Sequence, residues 1–494
     1  MQDDISDGGT AMQQDLILVL NFNDAASRET ARKLRGERIC CRILPGDSTL
    51  EQIKELAPKG LILAADAEEN NGEGFDNRIL QENVPILAWG SAAGFMLKLA
   101  GGLVGEELFE TRFLPLEFRK SVLTEGITDQ ERMLKKVKNL EPGGCMTAIC
   151  LSGDTVIGYS HDVLPLFGLQ IEVEQNDPDG ARIMRNFAVD ICGCTDSWND
   201  EAYVNSQVEQ IRSQAGDGSV MCAVTGGLDS AVSAALAYRA VGKKLKCILI
   251  DTGLMHEQEC FRFVRFFGDE MGMDVLLIDA AREFLNALQG VTEQIRKREI
   301  IGAKLREILL REMNRIPDVK LLIRGTNCSD VMQRTFENVP DDLPIPVCEP
   351  LRDLFKDEIR RVAEYLGFPS RYVTAQPFPG TGMAMRIHGE VSEAALTAVR
   401  EADRIFNEEL LNAGVKRLMK SFAAVDPLPE QKGIIVILRA VQSGENLSAN
   451  PARLPYDILE NTVQRVTREI PGVKRVFYDL STAKDFSEIE YNSI

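Results

Sequence analysis

Apolar residues in this chain come in short runs, separated by stretches with helical spacing. Asp15–Phe22 reads as a buried parallel strand, Ala25–Arg35 as a helix and Ile39–Leu44 as the next strand. Gly60–Ala64 and Val84–Trp89 add two more apolar runs. Strands alternating with helices predict a doubly wound α/β domain ending near Cys194, with the polar stretch Thr195–Ala202 as a linker. A second unit of the same kind starts near Tyr203. Its predicted strands are Val220–Val224, Leu245–Ile250, Asp274–Ile278 and Leu321–Arg324, and its helices Asp229–Val241 and Glu293–Met313. From about Gln376 the pattern changes to helix Glu393–Leu411, strand Gly433–Ala440, helix Pro451–Arg468 and strand Val473–Tyr478. The expected fold class is therefore α/β, two doubly wound α/β domains followed by a small α+β domain. The expected boundaries are a polar tail at 1–14 and domains at 15–195, 203–375 and 376–494.

Composition narrows the function. The 494 residues are 44% hydrophobic and 27% charged, which excludes disordered and collagen-like classes. Lys plus Arg is 56 and Asp plus Glu is 75, a formal net charge of −19. That balance argues against general nucleic-acid binding, which needs basic surface, but not against a local nucleotide site. No apolar run is long enough to span a membrane, and Met1–Gln14 lacks the basic-then-apolar pattern of a secretory signal. The 11 cysteines include no Cys-x-x-Cys, so free thiols in a reducing cytoplasm are expected.

The sharpest chemical signal is Thr225-Gly226-Gly227-Leu228-Asp229-Ser230, between a strand and a helix. Glycines there let backbone N–H groups approach an anion, and the helix N-terminus adds partial positive charge. Thr225 and Ser230 bring hydroxyls. Asp229 is a candidate to hold Mg²⁺ or to order the loop. The motif is neither a Walker A sequence nor a dinucleotide fingerprint. The bland alternative is a tight Gly-Gly turn capped by Asp. The coincidence of strand end, hydroxyls and helix start favours phosphate.

This loop resembles the Ser-Gly-Gly-x-Asp-Ser pyrophosphate motif of the N-type ATP pyrophosphatases, and more of the chain resembles the GMP synthases. Asp251-Thr-Gly253-Leu-Met, Ile300-Ile301-Gly302, Gly325-Thr326 with Asp330-Val331, Glu349-Pro350-Leu351-Arg352, Lys356-Asp357-Glu358 and Gly380-Thr381-Gly382 through Arg386 follow in the family's order. Arg439-Ala440-Val441 and Arg453-Leu454-Pro455-Tyr456-Asp457 resemble its C-terminal dimerisation domain. The resemblance implies that ATP, with Mg²⁺, adenylylates a carbonyl oxygen of a nucleotide base and that ammonia then displaces AMP. It implies pyrophosphate on Thr225, Gly226, Gly227, Leu228, Asp229 and Ser230, adenosine near Asp251, further cofactor contacts at Gly325 and Thr326, and Lys356 facing phosphate charge. It places Arg386, Lys484 and Glu490 at the acceptor nucleotide and predicts a homodimer. Four of these residues also admit ordinary readings. Lys356 in a charged helical stretch can be merely solvated, Gly325-Thr326 can simply end a strand, and Arg386 can pair with a carboxylate such as Glu390.

Two regions depart from the family pattern. The first domain resembles a class I glutamine amidotransferase, which needs a cysteine nucleophile on a sharp turn and a His–Glu pair to activate it. Here the nucleophile position is Gly90, and the family's His-Pro-Glu reads Glu172-Val173-Glu174. The glycine-rich oxyanion stretch reads Ala64-Ala65-Asp66-Ala67. Glutaminase activity is therefore expected to be absent, with nitrogen coming from free ammonia or a separate glutaminase. In the second region, the segment between Val331 and Glu349 lacks the family's Lys-Ser-His-His core and keeps Arg334 as its only cation, and the spacing of Lys484 and Glu490 is off by one. The leading expectation is ATP-dependent amination of a nucleotide, xanthosine monophosphate (XMP) to GMP. A non-catalytic regulatory relative is the alternative. A tRNA-thiolation enzyme is disfavoured by the acidic charge and the missing Cys-x-x-Cys.

Overall fold

The computed structural model describes residues 15–65, 72, 74–172, 177–256, 259–332, 344–374, 381–415, 418–428, 433–443 and 449–482. The chain divides into two compact units: Met1–Ser206 with Cys328–Thr335 and Asp353–Phe355, and the remainder, Gln207–Asn327, Phe336–Arg352 and Lys356–Ile494.

In the first unit the strands are β1 Ile17–Asn21, β2 Cys41–Pro45, β3 Gly60–Ala65, β4 Ile86–Gly90, β5 Leu103–Phe118, β6 Gln130–Glu141, β7 Met146–Ser152, β8 Thr155–His161 and β9 Leu166–Leu169. Among the described residues they form one sheet in the order β2-β1-β3-β4-β9-β8-β7-β5-β6. The half from β2 to β9 is parallel, and pairing from β9 to β6 is antiparallel. Side chains alternate along a strand, so a sheet covered on both faces needs continuous apolar runs. Ile17, Val19, Ile62, Ala64, Leu87 and Trp89 pack on one face against Ala31, Leu34 and Phe187. Leu18, Leu20, Leu61, Leu63, Ile86 and Ala88 pack on the other against Ile53, Phe75 and Met96. The parallel half is what the apolar runs predict. The long β5–β6 ribbon is not foreseen, because its residues are mostly half-exposed or exposed and charge interrupts its alternation. The expected linker shortens, since Asp200–Ala215 is already helix.

The second unit carries β10 Ser219–Val224, β11 Leu245–Asp251, β12 Val275–Asp279, β13 Val319–Ile323 and β14 Val347–Cys348, all parallel, in the order β12-β11-β10-β13-β14. Order reverses around β10, which makes its carboxyl end the switch point where α/β sheets take ligands. A smaller sheet follows, β15 Lys420–Leu428, β16 Gly433–Ser443, β17 Ala449–Pro451 and β18 Val473–Tyr478, with β16 paired to the other three. Helix Glu393–Asn412, capped by the Ser392 side chain, packs on this sheet through Val399, Ile405 and Phe406. The helix expected over Pro451–Arg468 begins only at Tyr456, because the N-cap Pro455 and the strand β17 occupy the first residues. No described helix is long and apolar enough to cross a membrane.

Lys297, fully buried on helix Gln294–Met313, ties that helix to the segment before β15. Its Nζ donates to the Ile387 carbonyl at 2.6 Å. Burial lowers its pKa from 10.5 to about 8. Between those values the unfolded chain holds more protons than the folded one, so raising the pH favours folding. The melting temperature of the wild type relative to Lys297→Met is expected to climb from pH 8 to pH 10. A flat difference would mean that Lys297 is not buried as a cation.

Candidate functional site

Strand β10 delivers Thr225-Gly226-Gly227 to the start of helix Leu228–Val241. Gly226 has φ +82°, a left-handed conformation that favours glycine. The loop is stitched internally. The Thr225 N–H donates to the Ser230 hydroxyl at 3.1 Å, and that hydroxyl donates to the Gly227 carbonyl at 3.0 Å. Ser230 thus orders the loop, and the helix start presents its first backbone N–H groups beside it. The expected loop conformation is present; the seryl hydroxyl serves the turn itself.

The end of β13 lies directly against this helix start. A Cβ on Gly325 would lie 2.8 Å from the Ser230 nitrogen and 3.0 Å from the Asp229 carbonyl carbon. Only glycine permits that approach. It brings Asn327 to Asp229, Nδ2 to Oδ2 at 3.0 Å, while Lys356, the first residue of helix Lys356–Tyr365, donates from Nζ to Asp229 Oδ1 at 2.6 Å. The Thr326 hydroxyl donates to Glu349 Oε1 at 2.6 Å, and Arg324 and Arg352 pair with the same carboxylate. Burial pushes the Glu349 pKa up, but Thr326, Arg324 and Arg352 together hold it below the ordinary value. Lys356 is therefore part of the cluster, not a purely solvated residue.

Strand β11 ends at Asp251, whose Oδ1 accepts from the Gly253 N–H at 2.9 Å and closes a turn. Met255 and Glu259 reach back to the loop. The Met255 methyl lies 3.6 Å, and Glu259 Oε1 3.8 Å, from the point a Cβ on Gly226 would occupy. Glu259 Oε2 is buried with no hydrogen-bond partner among the described residues, and burial raises the pKa of the group. Sequence reading missed Glu259, since nothing in its spacing separates it from the helical charge around it. Burial also keeps His256 below its usual pKa, although Asp403 stands 3.5 Å away and Arg386, Arg400 and Arg262 add to the lowering.

Arg386 is almost fully buried. It donates to Asp403 at 2.9 Å and sits 5.0 Å from the Phe422 ring centre. The carboxylate suggested by helical spacing, Glu390, instead accepts from the Gly290 N–H at 2.8 Å. Arg386 is thus neutralised by Asp403, which also accepts from the Ala423 N–H. Lys484 and Glu490 lie outside the described residues, as do Glu174, the proline-glycine residues 375–380 and the shortened segment 333–343.

On its Gly226 side the loop is bordered at ordinary contact distance by the Met255 methyl and the Glu259 carboxylate. Among the described residues no three acidic, histidine or cysteine groups converge as a metal site. Asp229, at the helix start, is a carboxylate that could serve a Mg²⁺ held mainly by phosphate and water.

In the first unit the structure describes Gly90 and Glu172, two of the positions that the sequence resemblance singles out. Gly90 ends β4 at φ +68°, and a Cβ there would lie 2.1 Å from the Ala65 carbonyl oxygen. The carbonyl of Ile171, just before Glu172, lies 4.0 Å from the same point. Glu172 pairs with Lys135 at 2.9 Å. The turn is sharp, and the space a side chain at Gly90 would need is filled by backbone.

A parallel sheet with a glycine-rich anion loop at its switch point, backed by Asp229 and Lys356, defines a nucleotide-binding α/β protein of the pyrophosphate-loop type. Comparison with known proteins narrows the class. Residues 201–416 match the NAD synthase family and residues 429–491 the GMP synthase C-terminal domain. Curated relatives include proteins named GMP synthase [glutamine-hydrolyzing] from Clostridium tetani, 33% identical over 513 aligned residues, and from Halothermothrix orenii, 34% identical over 518. Each alignment covers 97% of this chain and 100% of the relative. The chain belongs to the GMP synthase family, whose ATP-dependent chemistry forms C–N bonds.

Gly90→Cys is expected to leave the protein without glutaminase activity and to lower its melting temperature. The left-handed backbone alone costs a side chain about 1–2 kcal/mol, and the Ala65 carbonyl must also move. Glutamate release from glutamine, measured beside a melting curve, checks both; a stable, active Gly90→Cys would show that the turn is still open.

Proposed function

We propose that the protein converts XMP to GMP using ATP and Mg²⁺, with free ammonia or ammonia from a separate glutaminase, in the cytoplasm and as a homodimer through residues 376–494. The observation that carries the ATP half is Asp229 held between Asn327 and Lys356 at the Gly226-Gly227 loop. The ammonia half rests on Gly90, where the Ala65 carbonyl takes the place of a nucleophile. On this reading 15–195 is an amidotransferase-like domain without its chemistry, 203–375 the ATP pyrophosphatase domain, and 376–494 the dimerisation domain.

The division of labour follows from charge. The acceptor oxygen attacks the α-phosphorus of ATP, and pyrophosphate leaves toward the loop of Thr225, Gly226, Gly227, Leu228 and Ser230. Backbone N–H groups and the helix start stabilise the departing anion without needing to reorganise. Lys356, a compact ammonium paired with Asp229, would meet phosphate charge, and Asp229 would hold Mg²⁺, which would supply further charge neutralisation on the phosphates. Asp251 and Gly253 form the turn beneath adenosine, and Gly325 and Thr326 hold the far wall. Arg386, Lys484 and Glu490 are assigned to the acceptor nucleotide, Arg386 by way of its pair with Asp403. Ammonia then attacks the activated carbon, and AMP departs.

Pyrophosphate release by the purified protein with ATP, Mg²⁺ and XMP is the test, run with ammonium, with glutamine and with neither. Release and GMP formation with ammonium alone are expected. Asp229→Ala and Lys356→Ala should each reduce release by about 10²-fold or more, the scale set by losing one preorganised charge in a phosphoryl-transfer site. Equal turnover with glutamine would overturn the reading of Gly90 and Glu172. ATP binding without release in any arm would point to a non-catalytic, regulatory member of the family.

A further inference from the structure

Three consecutive carbonyls, those of Gly253, Leu254 and Met255, are all taken by groups far away in sequence. Arg400 donates from its guanidinium to the Gly253 carbonyl and, from Nε, to the Met255 carbonyl at 2.7 Å. The Met383 N–H donates to the Leu254 carbonyl at 2.7 Å. That last contact depends on Gly382, which has φ +68°; a Cβ there would lie 2.5 Å from the Leu254 carbonyl oxygen. Gly253 itself is left-handed at φ +68°.

A turn at the end of a parallel strand has no ladder partners, so its carbonyls normally face water. Here a half-buried cation and a backbone amide replace the water. Two charge-assisted bonds from one planar guanidinium fix both the position and the tilt of the turn. Leu254 is fully buried, so the turn cannot swing without opening the core. The Met255 methyl lies 3.6 Å from the Cβ position of Gly226, so a displaced turn also displaces the side of the phosphate loop. Helix Glu393–Asn412 thereby sets both: Arg400 holds the turn, and one helical turn later Asp403 holds Arg386 and faces His256.

We propose that Arg400 is a positioning residue for the nucleotide. Through the clamp on Gly253, Leu254 and Met255 it fixes the geometry in which the turn and the Gly226 loop receive ATP. The inference rests on the ATP reading above. A purely structural arginine would lower the melting temperature and leave the affinity of the folded protein unchanged; a positioning arginine changes the affinity itself.

The test is titration calorimetry of the full chain with ATP and Mg²⁺, well below each variant's melting temperature. Arg400→Met, which keeps the aliphatic stem, is expected to weaken ATP binding by about tenfold or more, the scale of a lost charge-assisted hydrogen bond. Arg400→Lys, which can still reach one carbonyl, should fall between. Gly382→Ala, which pushes on the Leu254 carbonyl from the other side, should weaken ATP binding with Arg400 intact. If Arg400→Met does not fold, the last two variants decide. Wild-type binding with unchanged affinity in the folded variants overturns the clamp and spares the ATP reading. Failure of the wild type to bind ATP overturns both.

Discussion

The candidate site depends on one close approach, the backbone of Gly325 against the first turn of helix Leu228–Val241. With a Cβ position only 2.8 Å from the Ser230 nitrogen, the two segments touch main chain to main chain. That contact sets the distance from which Asn327 reaches Asp229 and fixes β13 beside the loop. A side chain at Gly325 would push the strand end from the helix and open the groups meant to close on an anion. The glycines of the loop itself give freedom of conformation. Gly325 gives proximity, a different and stricter demand.

Around that contact the unit solves an electrostatic problem. A chain with a net charge of −19 must offer positive potential to a polyphosphate. Four cations near the loop are held against carboxylates, Lys356 on Asp229, Arg324 and Arg352 on Glu349, and Arg386 on Asp403. Such pairs keep the charges ordered when no ligand is present, and pairing spares a buried cation the cost of standing alone. Lys356 differs from Arg386 in one respect that matters. Its side chain remains 36% exposed and that of Arg386 4%, so Lys356 stays open to solvent, whereas Arg386 is built into the core.

Much of this was legible in the chain, and the limits have physical reasons. Parallel strands buried on both faces write themselves as apolar runs, so β1, β3, β4, β10 and β11 stand out. The ribbon β5–β6 does not, because a strand that is neither buried on one face nor on both leaves no period to read. The loop was legible because conformational demand and chemistry fall on adjacent residues. Glu259, Arg400 and Asp403 were not, because their roles come from contacts across more than a hundred residues or from a helix face that looks like any charged amphipathic stretch. The pairing of Arg386 shows the same limit: helical spacing points to Glu390, while the fold supplies Asp403.

The first unit poses a different question, how the turn at Gly90 is closed. The strand-turn-helix at Gly90 retains the left-handed residue on which such a turn depends, and Ile171 still brings Glu172 alongside. Had only the nucleophile been replaced, the neighbouring backbone would still leave room for a side chain. Instead the Ala65 carbonyl lies where the Cβ would go and also accepts the Ser91 N–H at 3.2 Å, so the turn is closed by its own hydrogen bond. Glu172, an anion where a base would stand, is matched by Lys135. With no side chain at Gly90, backbone polar groups satisfy one another across the turn, and a thiol placed there would have to break that bond.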